Sequence, residues 1–226
     1  MPAGLQVLKR KRAVDAAIAE AFRVIPVANI SDAMNRLAAG GSRLRPLHGG
    51  GTVLCGPVVT VKTRPGDNLM VHMALNLAVP GDVIVVDAGG DLTNSIIGER
   101  MLAYCVVKKF AGVIINGAVR DSAWIRAQSL PVYAAGISHR GPYKDGPGEI
   151  NVSVAFDGMV IEPGDLVVGD DDGFVSIPFA DAAAVLGLAQ AKFKSETETF
   201  AAIGKTDNNA QAYRSKLLAM GCTFEV

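Results

Sequence analysis

Short runs of Val and Ile ending in glycine and aspartate punctuate this chain, and the clearest is Gly112-Val-Ile-Ile-Asn-Gly-Ala-Val-Arg120-Asp121. So short an apolar run bounded by Gly reads as a buried strand. Its end is where an arginine and an aspartate can meet a cleft without being buried unpaired. Arginine offers a planar fork for a carboxylate or phosphate, and aspartate a hard oxygen ligand for Mg2+ or Mn2+. A second run, Pro80-Gly-Asp-Val-Ile-Val-Val-Asp87, leads into Ala88-Gly-Gly-Asp91, Thr93-Asn-Ser95 and Gly98-Glu99. Glycines after a strand let the backbone approach a ligand, and N–H groups opening a helix favour anions, so the two segments are expected to share one pocket. Singly neither is specific, because ordinary α/β loops are written the same way.

The periodicity predicts an α/β rhythm. Helices are expected at Val14–Val24, from an Asn29 or Ser31 cap through Leu37, at Leu69–Leu77, Ser95–Lys109 and Asp121–Gln128. Strands are expected at Val53–Lys62, Val83–Asp87, Val113–Ile115 and Pro131–Ala135, followed by a long loop over Gly136–Gly148. Asn151–Phe156, Met159–Ile161, Leu166–Gly169 and Gly173–Ile177 then read as short antiparallel strands, with Asp157-Gly158 and the Asp170–Gly173 segment as hairpin turns. An Ala-rich helix from about Phe179 past Glu196, a turn over Gly204–Asn209 and a last helix, Ala210–Met220, complete the chain. Pro-Gly-Asp recurs at Pro65, Pro80 and Pro163; Pro fixes φ and Gly takes the positive-φ position, so these aspartates read as turn residues.

At 226 residues the chain is long enough for one substantial core, and a single domain spanning 1–226 is expected, with N-terminal helices and a C-terminal helical extension. Its 22 basic and 22 acidic residues cancel, which leaves no electrostatic reason to invoke nucleic acid or a membrane surface and makes self-association unsurprising. Cys55, Cys105 and Cys222 lack any Cys-x-x-Cys or Cys/His ligand spacing and read as reduced thiols of a cytoplasmic protein. The basic quartet Lys9–Arg12 is not followed by the apolar core of a signal peptide and reads as a solvated helix end. No apolar run approaches the roughly 20 residues that cross a bilayer. The three histidines are too scattered for a zinc site or a catalytic triad; His72 reads as structural and His139 as a weak candidate.

Taken in order, Pro80–Gly90, Gly98-Glu99, Gly117-Ala-Val-Arg-Asp121, Gly146-Pro-Gly-Glu-Ile-Asn151 and Gly164–Gly173 resemble the RraA-like proteins and class II 4-hydroxy-4-methyl-2-oxoglutarate aldolases, from roughly Ile30 to the C-terminal helix. The resemblance implies a layered α/β/β/α sandwich with mixed central sheets, similar to swivelling phosphohistidine domains. It also implies homotrimers or homohexamers with sites between subunits. The implied chemistry is Mg2+- or Mn2+-dependent retro-aldol cleavage of a small 2-oxo acid to release pyruvate, with oxaloacetate decarboxylation as a side activity. By the same resemblance Arg120 binds the pyruvyl carboxylate or keto oxygen, Asp121 is the direct metal ligand, and Glu99 holds the metal through water. Glu196 reaches the metal's water shell from a neighbouring subunit, and backbone amides from Gly98 to Leu102, including those of Glu99, Arg100 and Met101, cradle the substrate carboxylate.

A pyruvate enolate is the product of such a cleavage, and a divalent cation with an arginine can stabilise its charge without a Schiff-base lysine. Lys108 and Lys109 instead suit the end of a helix. Active aldolases of the family often carry an acidic residue where this chain has Trp124, whereas retention of Arg120-Asp121 separates it from the regulators of ribonuclease E. The alternatives are therefore a non-catalytic RraA-like interaction module and, more weakly, a methyltransferase suggested by Asp87-Ala-Gly-Gly, which lacks the Gly-x-Gly-x-x-Gly signature. Ser31, Asp32 and Asn68 could contact the distal part of a substrate, with helix capping as their simpler role.

Overall fold

In the computed structural model, which describes residues 4–37, 40–204 and 209–225, the chain runs β1 (Leu5–Val7), α1 (Ala16–Phe22), α2 (Val27–Ala33), β2 (Arg45–Pro46), β3 (Leu54–Thr63), α3 (Leu69–Leu77), β4 (Val83–Asp87) and β5 (Ser95–Ile97). It continues through α4 (Glu99–Val107), β6 (Gly112–Val119), α5 (Ser122–Arg126), β7 (Val132–Ile137), β8 (Gly148–Ile150), β9 (Val154–Phe156), β10 (Met159–Ile161), β11 (Leu166–Asp170), β12 (Gly173–Ile177), α6 (Ala182–Ala202) and α7 (Ala210–Ala219). The predicted turn over 204–209 falls mostly outside the described residues.

Side chains on a strand alternate between faces, and here the alternation sorts residues into separate cores. Val59, Ile84, Val86, Val113 and Ile115 face α3 and α4 with Val71, Leu75, Leu102 and Cys105. Their neighbours Val58, Val83, Val85 and Ile114 face the opposite way, against Val154, Phe156, Ile161, Val167 and Phe174. Leu166, Val168, Val175 and Ile177 then turn outward onto Phe22, Ile30, Val185 and Ala189 of α1, α2 and α6. The order of layers is helices, sheet, sheet, helices: the α/β/β/α sandwich that the resemblance implies.

The main sheet runs β1-β8-β3-β4-β6-β7-β2, with β5 beside β6. The β3-β4, β4-β6 and β6-β7 pairs are parallel, and β8 and β2 join antiparallel. Strand β3 belongs to both layers: Val58–Lys62 pair with β4, while Leu54–Pro57 pair antiparallel with β11. Two predicted hairpins are present, with Asp157 and Gly158 both at positive φ between β9 and β10, and Asp170 opposite Gly173 between β11 and β12.

Several boundaries differ for physical reasons. Helix α2 starts at Val27, after Pro26, whose φ of −55° and ψ of 141° set it up as the cap; Asn29 is buried inside the helix and caps nothing. Ser95–Ile97 is not the start of a helix. It is extended and buried, pairing in parallel with Ala118 and Val119 of a β6 that runs past Ile115, and α4 begins only after Gly98. The Gly136–Gly148 loop is shorter than expected because Gly136-Ile137 extends β7 and Gly148 starts β8. The basic quartet is not simply solvated: Arg10 pairs with buried Asp82 at 2.6 Å and Arg12 lies 3.7 Å from buried Asp165.

Candidate active site

Strand β6 ends at Val119, and its last extended neighbour, Ile97 of β5, accepts the Arg120 N–H at 3.0 Å. Asp121 then takes the left-handed conformation, φ 59° and ψ 41°, before α5. Aspartate is one of the few side chains that visit this region at modest cost. The turn points its carboxylate at the N-terminus of α4, where Oδ2 accepts the Glu99 N–H at 2.8 Å and meets the positive end of the helix dipole. Arg120 Nε lies 3.7 Å from the same oxygen, with both side chains about two-fifths exposed. So loose and wet a pair contributes little stability and leaves both groups open to a ligand.

Gly98 lets the two charges come this close. A Cβ at this position would lie against Asp121 Oδ2, and 2.7 Å from Arg120 Cγ. Of the amides in the first turn of α4, Glu99 is spent on Asp121, and Met101 and Leu102 bond back to Gly98 O at 3.1 Å. Among the described residues this leaves the Arg100 N–H as the amide there with no partner.

A cleft of about 100 Å3 opens beside this pair, bordered by Gly98, Arg100, Met101 and Arg120, by Asn68 and His72 of the α3 segment, and by Lys144. Burial pulls the His72 imidazole below its ordinary value, and the Lys144 and Arg100 charges pull the same way. His72 is therefore neutral near pH 7, and Arg100, Arg120 and Lys144 carry the positive charge of the cleft. His72, which the sequence reads as structural, stands at the border of this cleft, one helical turn (i, i+4) after Asn68.

The Asp87–Gly90 turn does not border the cleft, since its carboxylate is tied to Asn116 Nδ2 at 2.7 Å and to the Gly89 N–H at 3.0 Å. His139 is exposed outside it, and Ser31 and Asp32 belong to α2, where Asp32 pairs with Arg36 at 2.7 Å. Trp124 rests part-buried on the core beneath α5 and brings no charge to the site. Glu196 accepts a hydrogen bond from Asn29 Nδ2 at 2.6 Å and pairs with Lys192 at 3.1 Å; first Asn29 and then Lys192 hold its carboxyl below the usual range. These contacts place it in the α1/α2/α6 layer, on the opposite side of the sandwich from α4.

Among the described residues no three His, Cys, Asp or Glu side chains are grouped closely enough to hold a metal by themselves. Among the described residues Asp121 nonetheless keeps Oδ1 free of protein partners, while its Oδ2 takes the backbone N–H of Glu99, the first residue of α4. One or two carboxylate oxygens plus water is how Mg2+ is commonly held, so this donor set fits a hard divalent cation retained largely through water. No described helix is long and apolar enough to cross a membrane.

The RraA-like family profile, described as Aldolase/RraA, matches residues 27–176. A Halalkalibacterium halodurans protein provisionally named 4-hydroxy-4-methyl-2-oxoglutarate aldolase is 38% identical over 197 residues, 87% of this chain and 93% of that protein. Among solved structures, Streptomyces coelicolor RraAS2, titled an unusual member of the RNase ES inhibitor RraA protein family, superposes with a TM-score of 0.75 at 26% identity, covering 83% of this chain and 98% of that one. An uncharacterized protein from Pseudomonas syringae pv. tomato shares the fold at a TM-score of 0.77 and 24% identity, over 89% of this chain and 98% of that one. With the layered fold, the Arg120-Asp121 turn and these matches together, the chain belongs to the RraA-like (Aldolase/RraA) family.

Proposed function

We propose that the protein is a divalent-metal-dependent lyase that cleaves a small anionic 2-oxo acid and releases pyruvate, in the manner of a 4-hydroxy-4-methyl-2-oxoglutarate aldolase with oxaloacetate decarboxylase activity. The observation that carries this reading is the Arg120-Asp121 turn packed on Gly98: Arg120 and Arg100 border the cleft, and the Asp121 carboxylate lies 3.7 Å from the Arg120 guanidinium at its side. Arg120 and the Arg100 N–H bind and orient the carboxylate and oxo oxygen of the pyruvyl end. Asp121, whose carboxylate takes the Glu99 backbone N–H, would hold Mg2+ or Mn2+, with Glu99 contributing through water; the cation would supply Lewis acidity toward the negative charge that grows on the 2-oxo group. Arg120 stabilises the same charge as the C–C bond breaks and the enolate forms. Lys144 is exposed at the rim, unlike the desolvated lysines that form Schiff bases, and acts as a charge. Glu196 serves the cleft of a neighbouring copy in a homotrimer or homohexamer, since its own cleft lies across the sandwich.

Pyruvate formation from 4-hydroxy-4-methyl-2-oxoglutarate and from oxaloacetate, with Mg2+ or Mn2+ and again with EDTA, tests the reading. Asp121→Asn keeps an acceptor for the Glu99 N–H and tolerates the left-handed turn but removes the charge. It is expected to lower metal-dependent turnover roughly a hundredfold. Unchanged turnover in that variant would refute the role of Asp121. The likeness to an RNase inhibitor of the RraA family motivates a second reading, a module that binds a ribonuclease. Metal-independent inhibition of such a nuclease, with no pyruvate release, would favour it.

A further inference from the structure

Asn68 occupies the N-cap position of α3, yet its side chain makes no capping hydrogen bond. The preceding residue does that work, with Asp67 Oδ1 accepting the Leu69 N–H at 2.9 Å. Asn68 is only 2% exposed, and its Nδ2 donates to Ile96 O at 2.8 Å. That bond fixes the amide, because the flipped orientation would set two oxygens against each other. Among the described residues Oδ1 is left buried with no hydrogen-bond partner, on a residue that borders the cleft beside Arg120. A buried acceptor without a donor is costly, and in native proteins nearly all such groups find a partner, so one without a protein donor invites one from outside the chain.

The surroundings restrict what that partner is. The charged side chains that border the cleft, Arg100, Arg120 and Lys144, are donors suited to an anion. Asn68 Oδ1 is an acceptor among them, and a bare carboxylate oxygen placed against it would repel. A ligand that satisfies both carries a carboxylate and, at a distance from it, a hydroxyl. We propose that Asn68 accepts the hydrogen bond of the ligand's hydroxyl group while Arg120 holds its carboxylate, so that Asn68 is the residue that sets the preference for hydroxylated acids over hydroxyl-free ones. The assignment of Arg120 to the carboxylate rests on the functional reading above; the orphaned acceptor does not.

Titration calorimetry with 2-hydroxyglutarate and glutarate, in Mg2+, tests the subsite without turnover. Held by its C5 carboxylate, 2-hydroxyglutarate carries its hydroxyl where a 2-oxoglutarate skeleton carries one at C4. The wild-type protein is expected to bind the hydroxy acid about tenfold more tightly, and Asn68→Leu to bind the two acids alike. Equal affinities in the wild type, or no binding of either acid, would overturn the proposal even if the variant does not fold. Where the enzyme is active, kcat/KM in Asn68→Leu falls selectively for 4-hydroxy-4-methyl-2-oxoglutarate relative to oxaloacetate, whereas a merely structural defect lowers both equally and counts against the subsite. A hydroxyl preference in binding with no pyruvate release from either substrate refutes the lyase reading and leaves the subsite standing.

Discussion

Replacing Gly98 by Ala tests the geometry of the site through space alone. Gly98 has φ −151° and ψ −169°, extended backbone that any residue adopts, so the added methyl brings no conformational penalty. It does bring a collision: the new Cβ would stand 2.7 Å from Arg120 Cγ and 3.0 Å from Arg120 Nε, and lie against Asp121 Oδ2. Comfortable carbon contacts start near 3.5 Å, so each side chain must withdraw by close to an ångström. Asp121 cannot do so freely, because its turn is set by β6 on one side and α5 on the other, and the Glu99 hydrogen bond is what it gives up. Overpacking of this kind costs about 1–3 kcal/mol, and for a chain of this size each kcal/mol lowers Tm by about 2–4 °C. A displacement of one ångström at a reacting group costs on the order of a hundredfold in rate. The expected result is a Tm lower by several degrees, with kcat/KM for pyruvate release falling far more than that stability loss explains. Gly187→Ala on the exposed face of α6, where a Cβ meets nothing within 4 Å, is the control and should stabilise by about 0.5–1 kcal/mol. If Gly98→Ala lowers Tm yet turns over at the wild-type rate, the close approach of Arg120 and Asp121 is not what the chemistry uses.

The N-terminal strap gives an ordering that thermal unfolding can read. Arg10→Ala strips the guanidinium from Asp82, which is 1% exposed, and should cost about 2–4 kcal/mol; Arg12→Ala acts on a longer contact from a half-exposed side chain and should cost under about 1 kcal/mol. Equal losses would show that the ion pairs do not hold the strap. Asp67 supplies an acid-sensitive term. Burial works to raise its carboxyl, but the N–H groups of Leu69, Asp145 and Gly146 and the Arg64 charge outweigh it and hold it below the ordinary range. Its contribution is therefore complete above the unfolded value near pH 4 and is lost as pH falls through the lower folded value, so the Tm gap between wild type and Asp67→Asn should narrow below about pH 4. A gap that stays constant from pH 6 to pH 2 would contradict this.

What the sequence made legible was whatever depends on local spacing. The Val83–Asp87 and Gly112–Val119 runs announce buried parallel strands, and the same alternation sorts their side chains into the two cores that face them. Arg120-Asp121 was readable as a candidate site because a charged pair at the end of such a strand has few other places to go. Ser95–Ile97 was misread because its helix-like continuation into Glu99 is local, while the pairing with Ala118 and Val119 that holds it extended is not. Asn68 was misread for a related reason. An Asn before a helix is normally a cap, and nothing in its own spacing says that Asp67, fixed by amides from Asp145 and Gly146 far along the chain, has taken that role already. Long-range hydrogen bonds to one buried carboxylate thus release a neighbouring amide from structural work, and it is this release that turns a capping residue into an unpaired acceptor at the edge of the cleft.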